Sequence, residues 1–209
     1  MWKAELAPEQ LKAVNLAVLA KLADLRKGRP DLKKGESWQS DQSLDRLPEF
    51  APLVLAINAA ADELFRHLTV VHQGFAITGC WANVNAPGAT HSGHMHPNNF
   101  LSGVYYVQTV EGAATINFHD PRSQTGIVRP PIRVLTADNA DQVVIQIGEG
   151  TLLLFPAWLQ HSVDENRSAA ERISIGFNIM FSDYAETMGR PAWSSGERPR
   201  DTPHPYCTG

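Results

Sequence analysis

The chain has 209 residues, of which 43% are hydrophobic and 19% are charged, as is typical of a globular protein with one sizeable buried core. Its formal net charge of −4 comes without any long basic run, which disfavours nucleic acid as a partner. The two cysteines suggest no disulfide framework and no apolar stretch is long enough to span a membrane, so we expect a cytoplasmic protein with no export signal and no membrane partner.

Two helices are predicted in the first 70 residues. The first covers residues 8–27, where Pro8 suits the first turn and Gly28 ends the helix. Its apolar side chains recur at helical spacing and are Leu11, Val14, Val18, Leu22 and Leu25. A polar connecting loop over residues 31–47 leads to a second predicted helix over residues 49–68, which also has one apolar face.

From Gly74 onwards the spacing of apolar residues changes from helical to two-residue alternation. A first strand is followed by six more, predicted at residues 102–109, 113–118, 131–136, 142–147, 151–155 and 171–181. Because no helix separates these strands, the pattern favours an antiparallel fold over a parallel α/β sheet. We predict a mainly β protein, a double-stranded β-helix of the jelly-roll or cupin-like shape, with the two N-terminal helices packed on one sheet.

The domain organisation follows from these elements. Residues 1–188 are predicted to form a single domain, with a helical part over residues 1–70 and a β core over residues 74–181. Residues 189–209 contain many prolines and are predicted to form an irregular tail.

Three histidines form a candidate metal site. His94 and His96 are two residues apart, and in an extended segment such side chains point to the same face and can bind one ion. A pair of this kind arises often by chance, but His161 follows an apolar strand and Pro156, where the chain leaves the sheet at its rim. Three imidazoles bind a borderline metal and leave positions open for other ligands. His91 is a weaker alternative ligand.

Arg172 begins the last predicted strand, in which two sets of side chains alternate. The apolar set is Ile173, Ile175, Phe177, Ile179 and Phe181, and the other set is Arg172, Ser174, Gly176 and Asn178. If the apolar set meets the helices, Arg172 faces the barrel interior and needs an anionic partner, because an unpaired buried charge is costly. That partner is either an acidic residue of the chain or the carboxylate of a small ligand. The acidic residues near Arg172 in the sequence are Asp164, Glu165 and Glu171.

The order of these motifs resembles that of the Fe(II)- and 2-oxoglutarate-dependent oxygenases. The shared segments are HMHPN at residues 94–98, SGVYYV at 102–107, FPAWLQH at 155–161 and the arginine eleven residues later, and the resemblance covers residues 38–181. It implies an enzyme that uses Fe(II), 2-oxoglutarate and O2, hydroxylates its substrate and releases succinate and CO2. The implied substrate is a small molecule or a peptide, and such an enzyme could assemble as a homo-oligomer.

The same resemblance implies roles for individual residues. His94, His96 and His161 would hold the iron, and no catalytic residue beyond these metal ligands is expected. Arg172 would bind the distal carboxylate of 2-oxoglutarate, with Ser174 beside it.

Tyrosines and pocket residues complete the candidate site. The resemblance implies that Tyr105 contacts the same carboxylate as the arginine, whereas Tyr106, on the opposite face of the strand, is expected to pack in the core. Four more residues are candidates for the pocket wall, namely Trp81, Asn83, Asn178 and Trp158.

One departure from the family pattern keeps other functions open. Most of these oxygenases use an aspartate or glutamate where this chain has His96, so the iron centre would be one charge unit more positive before the co-substrate binds. Three-histidine iron is also the arrangement of thiol dioxygenases, which use no 2-oxoglutarate, and three histidines with a water can form a zinc hydrolase site. The last alternative is a non-catalytic, cupin-like protein that binds a small ligand.

Overall fold

Two antiparallel sheets and two helices make up the fold in a computed structural model that describes residues 1–111, 113–122, 130–136 and 138–184. The helices are α1 (Pro8–Leu25) and α2 (Ala51–His67), and two short 3-10 turns, Leu44–Arg46 and Pro48–Phe50, precede α2. The strands are β1 (Trp2–Glu5), β2 (Ser37–Gln39), β3 (Phe75–Asn85), β4 (His91–His94), β5 (Leu101–Gln108), β6 (Thr115–His119), β7 (Gln142–Gln146), β8 (Thr151–Pro156), β9 (His161–Val163) and β10 (Arg172–Phe181). The predicted tail, residues 189–209, lies outside the described residues.

The larger sheet has the strand order β1-β8-β5-β10-β3-β2, and the smaller sheet has the order β4-β9-β6-β7. Every pairing between these strands is antiparallel. A small apolar cluster lies between the sheets and joins Tyr106 and Phe155 of the larger sheet to Ile116 and Phe118 of the smaller one. This arrangement is the predicted antiparallel sandwich.

The main core lies between the larger sheet and the two helices. Val14, Val18 and Leu22 of α1 and Leu53, Ile57 and Leu64 of α2 are buried against it. The β10 residues buried in the same core are Ile173, Ile175, Phe177 and Ile179, and Phe181, the fifth member of the predicted apolar set, packs against it. Because side chains alternate along a strand, the other set of β10 must face the space between the two sheets.

Asn15 fastens α1 to the sheet through a buried polar contact. Its Nδ2 donates to the backbone carbonyl of Val107 at 2.8 Å, and its Oδ1 accepts a hydrogen bond from the hydroxyl of Tyr105 at 2.6 Å. Asn15 is only 8% exposed, so these bonds satisfy an amide that would otherwise be costly to bury.

Two details of the strand prediction were wrong. Residues 131–136 are described but form no strand, although the pattern is apolar; Pro130 and Pro131 lack the N–H groups that a ladder needs, and Ile132, Val134 and Leu135 are exposed. Four short strands, β1, β2, β4 and β9, were not predicted, because each has only three or four residues and gives too short an alternation to recognise.

Neither of the long helices in the described part of the chain combines the length and the hydropathy that a membrane crossing requires.

Substitution of Gly103 tests the close packing of β5 against its neighbours. A Cβ at this position would lie 2.6 Å from the carbonyl oxygen of Leu153 and would overlap the ring of Phe177. We expect Gly103→Ala to lower the free energy of unfolding by about 1–3 kcal/mol through overpacking, as measured by urea denaturation. Gly148→Ala is the control, because its Cβ would meet only Thr151 Oγ1 at 4.0 Å. Similar losses in both variants would contradict this account.

Candidate metal centre and its pocket

The three predicted histidines converge on one point at the rim of the smaller sheet. His94 ends β4 and His161 begins β9, and the two residues are direct register partners. His96 follows two residues later, where its backbone N–H donates to the carbonyl of Ala157 at 2.9 Å. The ring centroids are 4.3 Å apart for His94 and His161, 5.0 Å for His94 and His96, and 5.2 Å for His96 and His161.

Hydrogen bonds fix the orientation of two of these rings. His94 Nδ1 lies 2.9 Å from the carbonyl oxygen of Ser92, and His161 Nδ1 lies 3.0 Å from that of Leu159. Because a carbonyl oxygen only accepts, each Nδ1 must carry the proton, and each Nε2 keeps its lone pair. Backbone carbonyls hold metal-binding histidines in this way in many proteins.

The histidine nitrogens fit a metal ion in both spacing and protonation. One nitrogen from each of His94, His96 and His161 lies within 4.8 Å of the others, and bonds of about 2.1 Å to one ion require only modest ring movement. Burial lowers the pKa of His96 and of His161 to about 4, so both imidazoles are neutral at pH 7, the form that binds metals. His91 lines the same cavity with its ring 5.3 Å from that of His94, but it does not belong to this group of three.

A cavity of about 500 Å³ opens beside the histidines, between the two sheets. The predicted pocket residues Trp81, Asn83 and Asn178 line it, together with Arg172 and Ser174. Trp158 does not line this cavity and is 59% exposed, because the chain turns outward after β8. Its predicted place in the pocket wall was therefore wrong.

Arg172 is buried in this cavity with only 2% of its surface exposed. Glu171, one of its proposed partners, instead binds Arg26 through two hydrogen bonds of 2.8 and 2.9 Å. Asp164 attracts the guanidinium electrostatically, but no acidic side chain among the described residues forms an ion pair with it. Burial lowers the pKa of Arg172, which is the direction expected of a cation that lacks a close anion.

The two adjacent tyrosines have the opposite orientation to the one predicted. Tyr105 was expected at the cofactor, but it points into the helix-side core and donates to Asn15. Tyr106 lies opposite Ser174 and lines the cavity. Its hydroxyl is buried and has no hydrogen-bond partner among the described residues, so an acceptor from a ligand would satisfy it.

A register shift explains why the alternation of β10 did not identify Tyr106. Ile173 lies opposite Gln108 while Ser174 lies opposite Tyr106, so Val107 is an extra residue between them. The pairing of Ser174 with Tyr106 decides which tyrosine shares a face with Arg172, and the bulge moves Gln108 off that face. Only the pairing of β5 with β10 reveals it, and the sequence of either strand alone carries no such signal.

Comparisons with known proteins agree with this geometry. The family model described as "Putative 2OG-Fe(II) oxygenase" matches residues 79–178. No curated protein sequence matches significantly. Among solved structures, the carbocyclase SnoK, described as a non-heme alpha-ketoglutarate-dependent enzyme from nogalamycin biosynthesis, has a TM-score of 0.61 at 15% identity and covers 85% of this chain and 77% of its own.

Two more solved structures have the same fold. A prolyl-4-hydroxylase from Pseudomonas putida has a TM-score of 0.58 at 14% identity and covers 86% of this chain and 91% of its own. HygX from Streptomyces hygroscopicus, solved with nickel and 2-oxoglutarate, has a TM-score of 0.57 at 12% identity and covers 86% of this chain and 82% of its own. These likenesses confirm the predicted double-stranded β-helix.

The family match confirms the predicted class. Residues 79–178 match the model of the 2OG-Fe(II) oxygenases, and the protein is an enzyme that uses Fe(II) and 2-oxoglutarate. The matched segment contains the three histidines, Arg172 and Tyr106.

The two tyrosines provide a test of their different surroundings. Tyr105→Phe breaks the buried bond to Asn15, and we expect the free energy of unfolding to fall by about 1 kcal/mol. Tyr106→Phe removes a buried hydroxyl without a partner among the described residues, so the ligand-free protein should lose no stability. Urea denaturation of both variants measures the difference, and a larger loss for Tyr106→Phe would refute the assigned orientations.

Proposed function

We propose that this enzyme hydroxylates a small-molecule or peptide substrate, with His94, His96 and His161 holding the iron and Arg172 binding the co-substrate. With O2, bound Fe(II) and 2-oxoglutarate supply the oxidising chemistry of the family, in which the co-substrate becomes succinate and CO2. The observation that carries this proposal is the buried Arg172, which has no acidic partner among the described residues and shares one cavity with the three histidines.

Arg172, Tyr106 and Ser174 together provide the chemistry for holding a carboxylate. A guanidinium can give two parallel hydrogen bonds to the two carboxylate oxygens, which a lysine cannot reproduce. The unpartnered hydroxyl of Tyr106 and the hydroxyl of Ser174, on the same face, add two donors. We assign the distal carboxylate of 2-oxoglutarate to this group, with Tyr106 in the role first expected of Tyr105.

The walls near the histidines limit access of water. The apolar residues that line this part of the cavity are Val104, Ile116, Phe155 and Val163. The ring of Phe155 packs edge-on against His161 at a centroid distance of 4.7 Å. A dry wall beside the metal ligands protects a reactive site from side reactions.

Cys80 is buried as a free thiol, in keeping with our assignment to a reducing, cytoplasmic compartment.

A second candidate function rests on His96. With an imidazole in place of the usual carboxylate, the site has the ligand set of a three-histidine oxygenase such as a thiol dioxygenase, which needs no 2-oxoglutarate. Arg172 favours the first function, because 2-oxoglutarate supplies a carboxylate for this buried cation, whereas the three-histidine ligand set alone identifies no anion for it.

Metal and co-substrate binding can be observed directly. Under anaerobic conditions, Fe(II) with 2-oxoglutarate should give the wild-type protein a weak visible charge-transfer band. We expect His161→Ala to abolish the band, because two of three nitrogen ligands do not hold the ion. His67→Ala is the matched control, since this histidine is exposed on α2 and should leave the band unchanged. A wild type without the band, and without succinate release in air, would exclude 2-oxoglutarate.

The carboxylate site is tested by the affinity for 2-oxoglutarate in the presence of metal. Arg172→Lys keeps the charge but loses the paired hydrogen bonds, and we expect the dissociation constant to rise about tenfold or more. Tyr106→Phe should weaken binding about fivefold to tenfold through loss of one hydrogen bond to a charged group. Isothermal titration calorimetry measures both, with Tyr105→Phe as the control. A weaker affinity in Tyr105→Phe than in Tyr106→Phe would argue against the site.

A further inference from the structure

The cavity has two ends with different chemistry, arranged along β10. Arg172, Ser174, Gly176 and Asn178 follow one another on the same face, so the first and last are about 20 Å apart along an extended strand. The register places Gly176 opposite Trp81, whose ring lies 5.6 Å from that of His96. The metal ligands therefore lie near the middle, and the end at Asn178 is open to a second molecule.

The described residues at the open end include no acidic group. No aspartate, glutamate or lysine is found among the described residues that line the cavity. The acid that attracts Arg172, Asp164, follows Val163 at the other end and is exposed. A divalent ion and Arg172 carry three positive charges, and 2-oxoglutarate brings two negative ones, so the loaded site keeps one net positive charge. Imidazole ligands carry no negative charge, so nothing in the described cavity wall offsets this positive charge when a cationic substrate approaches.

Carboxamides take the place of charged groups at this end. Asn178 Oδ1 accepts a hydrogen bond from the hydroxyl of the buried Ser102 at 2.7 Å, so its NH2 group remains as a donor. The side chain of Gln42 lies beside Gly79, the register partner of Asn178, and also lines this end of the cavity, whereas Asn83 lies opposite Ser174. A carboxamide both donates and accepts, which suits uncharged polar groups.

Trp81 supplies one flat surface between the two ends. A Cβ at Gly176 would lie 2.7 Å from Trp81 Cε2, so the absence of a side chain there lets the indole lie against the backbone of β10. The covered face of the indole is not available to a ligand. Only 8% of Trp81 is exposed, so the part of the indole that lines the cavity is a weak site for an ammonium group compared with an aromatic cage.

From these observations, and resting on the proposed function, we propose that the substrate is an uncharged polar molecule bearing amide or hydroxyl groups. It packs on Trp81 beside the metal ligands and hydrogen-bonds with Gln42 and Asn178. Compounds that carry an ammonium or guanidinium group at this position are excluded by the positive charge of the loaded site and by the acid-free wall.

Matched probes that differ only in charge test this proposal. The first set is a series of N-acetyl amino acid amides, with N-acetyl amino acids as anionic partners and free amino acid amides as cationic ones. The second set is N-acetylglucosamine with glucuronate and glucosamine. Each compound is titrated anaerobically into the Fe(II) and 2-oxoglutarate complex, with the charge-transfer band and calorimetry as binding readouts, and succinate release in air is then measured.

We expect at least one neutral probe to shift the band and to bind about tenfold or more tightly than its ammonium partner. An ammonium or carboxylate probe that binds as tightly as its neutral partner, or a complete lack of binding by neutral probes, overturns the proposal. Failure of the proposed function is a different result, because the wild type would then show no charge-transfer band before any probe is added.

A negative charge introduced at the open end provides a second test. Asn178→Asp keeps the size and the acceptor for Ser102 but replaces the NH2 donor with a carboxylate oxygen. We expect neutral probes to bind about tenfold more weakly and ammonium probes to gain affinity, while the affinity for 2-oxoglutarate stays the same. Gln42→Glu is the second variant, should the first not fold, and Asn139→Asp, outside the cavity, is the control. Unchanged probe preferences in both cavity variants overturn the proposal.

Discussion

A single strand between two unlike environments organises this protein. β10 is flanked by β3 and β5 near the middle of the larger sheet, so both of its edges are hydrogen-bonded. The side chains on its two faces therefore have to suit two environments, the core with the helices and the cavity between the sheets. One face carries Ile173, Ile175, Phe177 and Ile179 into the core with the helices. The strict two-residue period then obliges Arg172 and Ser174 to face the cavity. The helices and the ligand site therefore depend on the same alternation.

The burial of Arg172 sets the electrostatic problem of the site. Its neighbour Glu171, which could have neutralised it, points away and binds Arg26 of α1, and Gln108 donates to the Glu171 carbonyl at 2.7 Å. These contacts hold the start of β10 while leaving the guanidinium for a ligand. Because imidazole ligands carry no negative charge and the described cavity wall has no acid, a dianionic co-substrate is the natural counterpart of the metal and the arginine together.

The bulge on β5 determines which side chains of that strand lie in the cavity. If the register continued without a shift, Val107 would lie opposite Ile173 and Gln108 would lie opposite Arg172 on the cavity face. With the shift, Gln108 lies opposite Ile173 and bonds to backbone, and Tyr106 is the last β5 side chain in the cavity. One inserted residue thus makes room beside the guanidinium. Bulges next to functional sites commonly redirect a side chain in this way.

Local periodicity was enough to predict the parts of this protein that depend on neighbouring residues. The i and i+2 spacing of His94 and His96, and the alternation of β10, are short-range properties, so the sequence determined the face that each side chain takes. The two helices and most of the strands follow from the same rule. The tertiary structure decided what depends on the register between distant strands, so that Tyr106 rather than Tyr105 faces the cavity. It also decided the path of the turn after β8, which points Trp158 away from the cavity. The physical reason is that a shift of one residue between two strands reverses every facing side chain, and no single strand contains the information that fixes its shift.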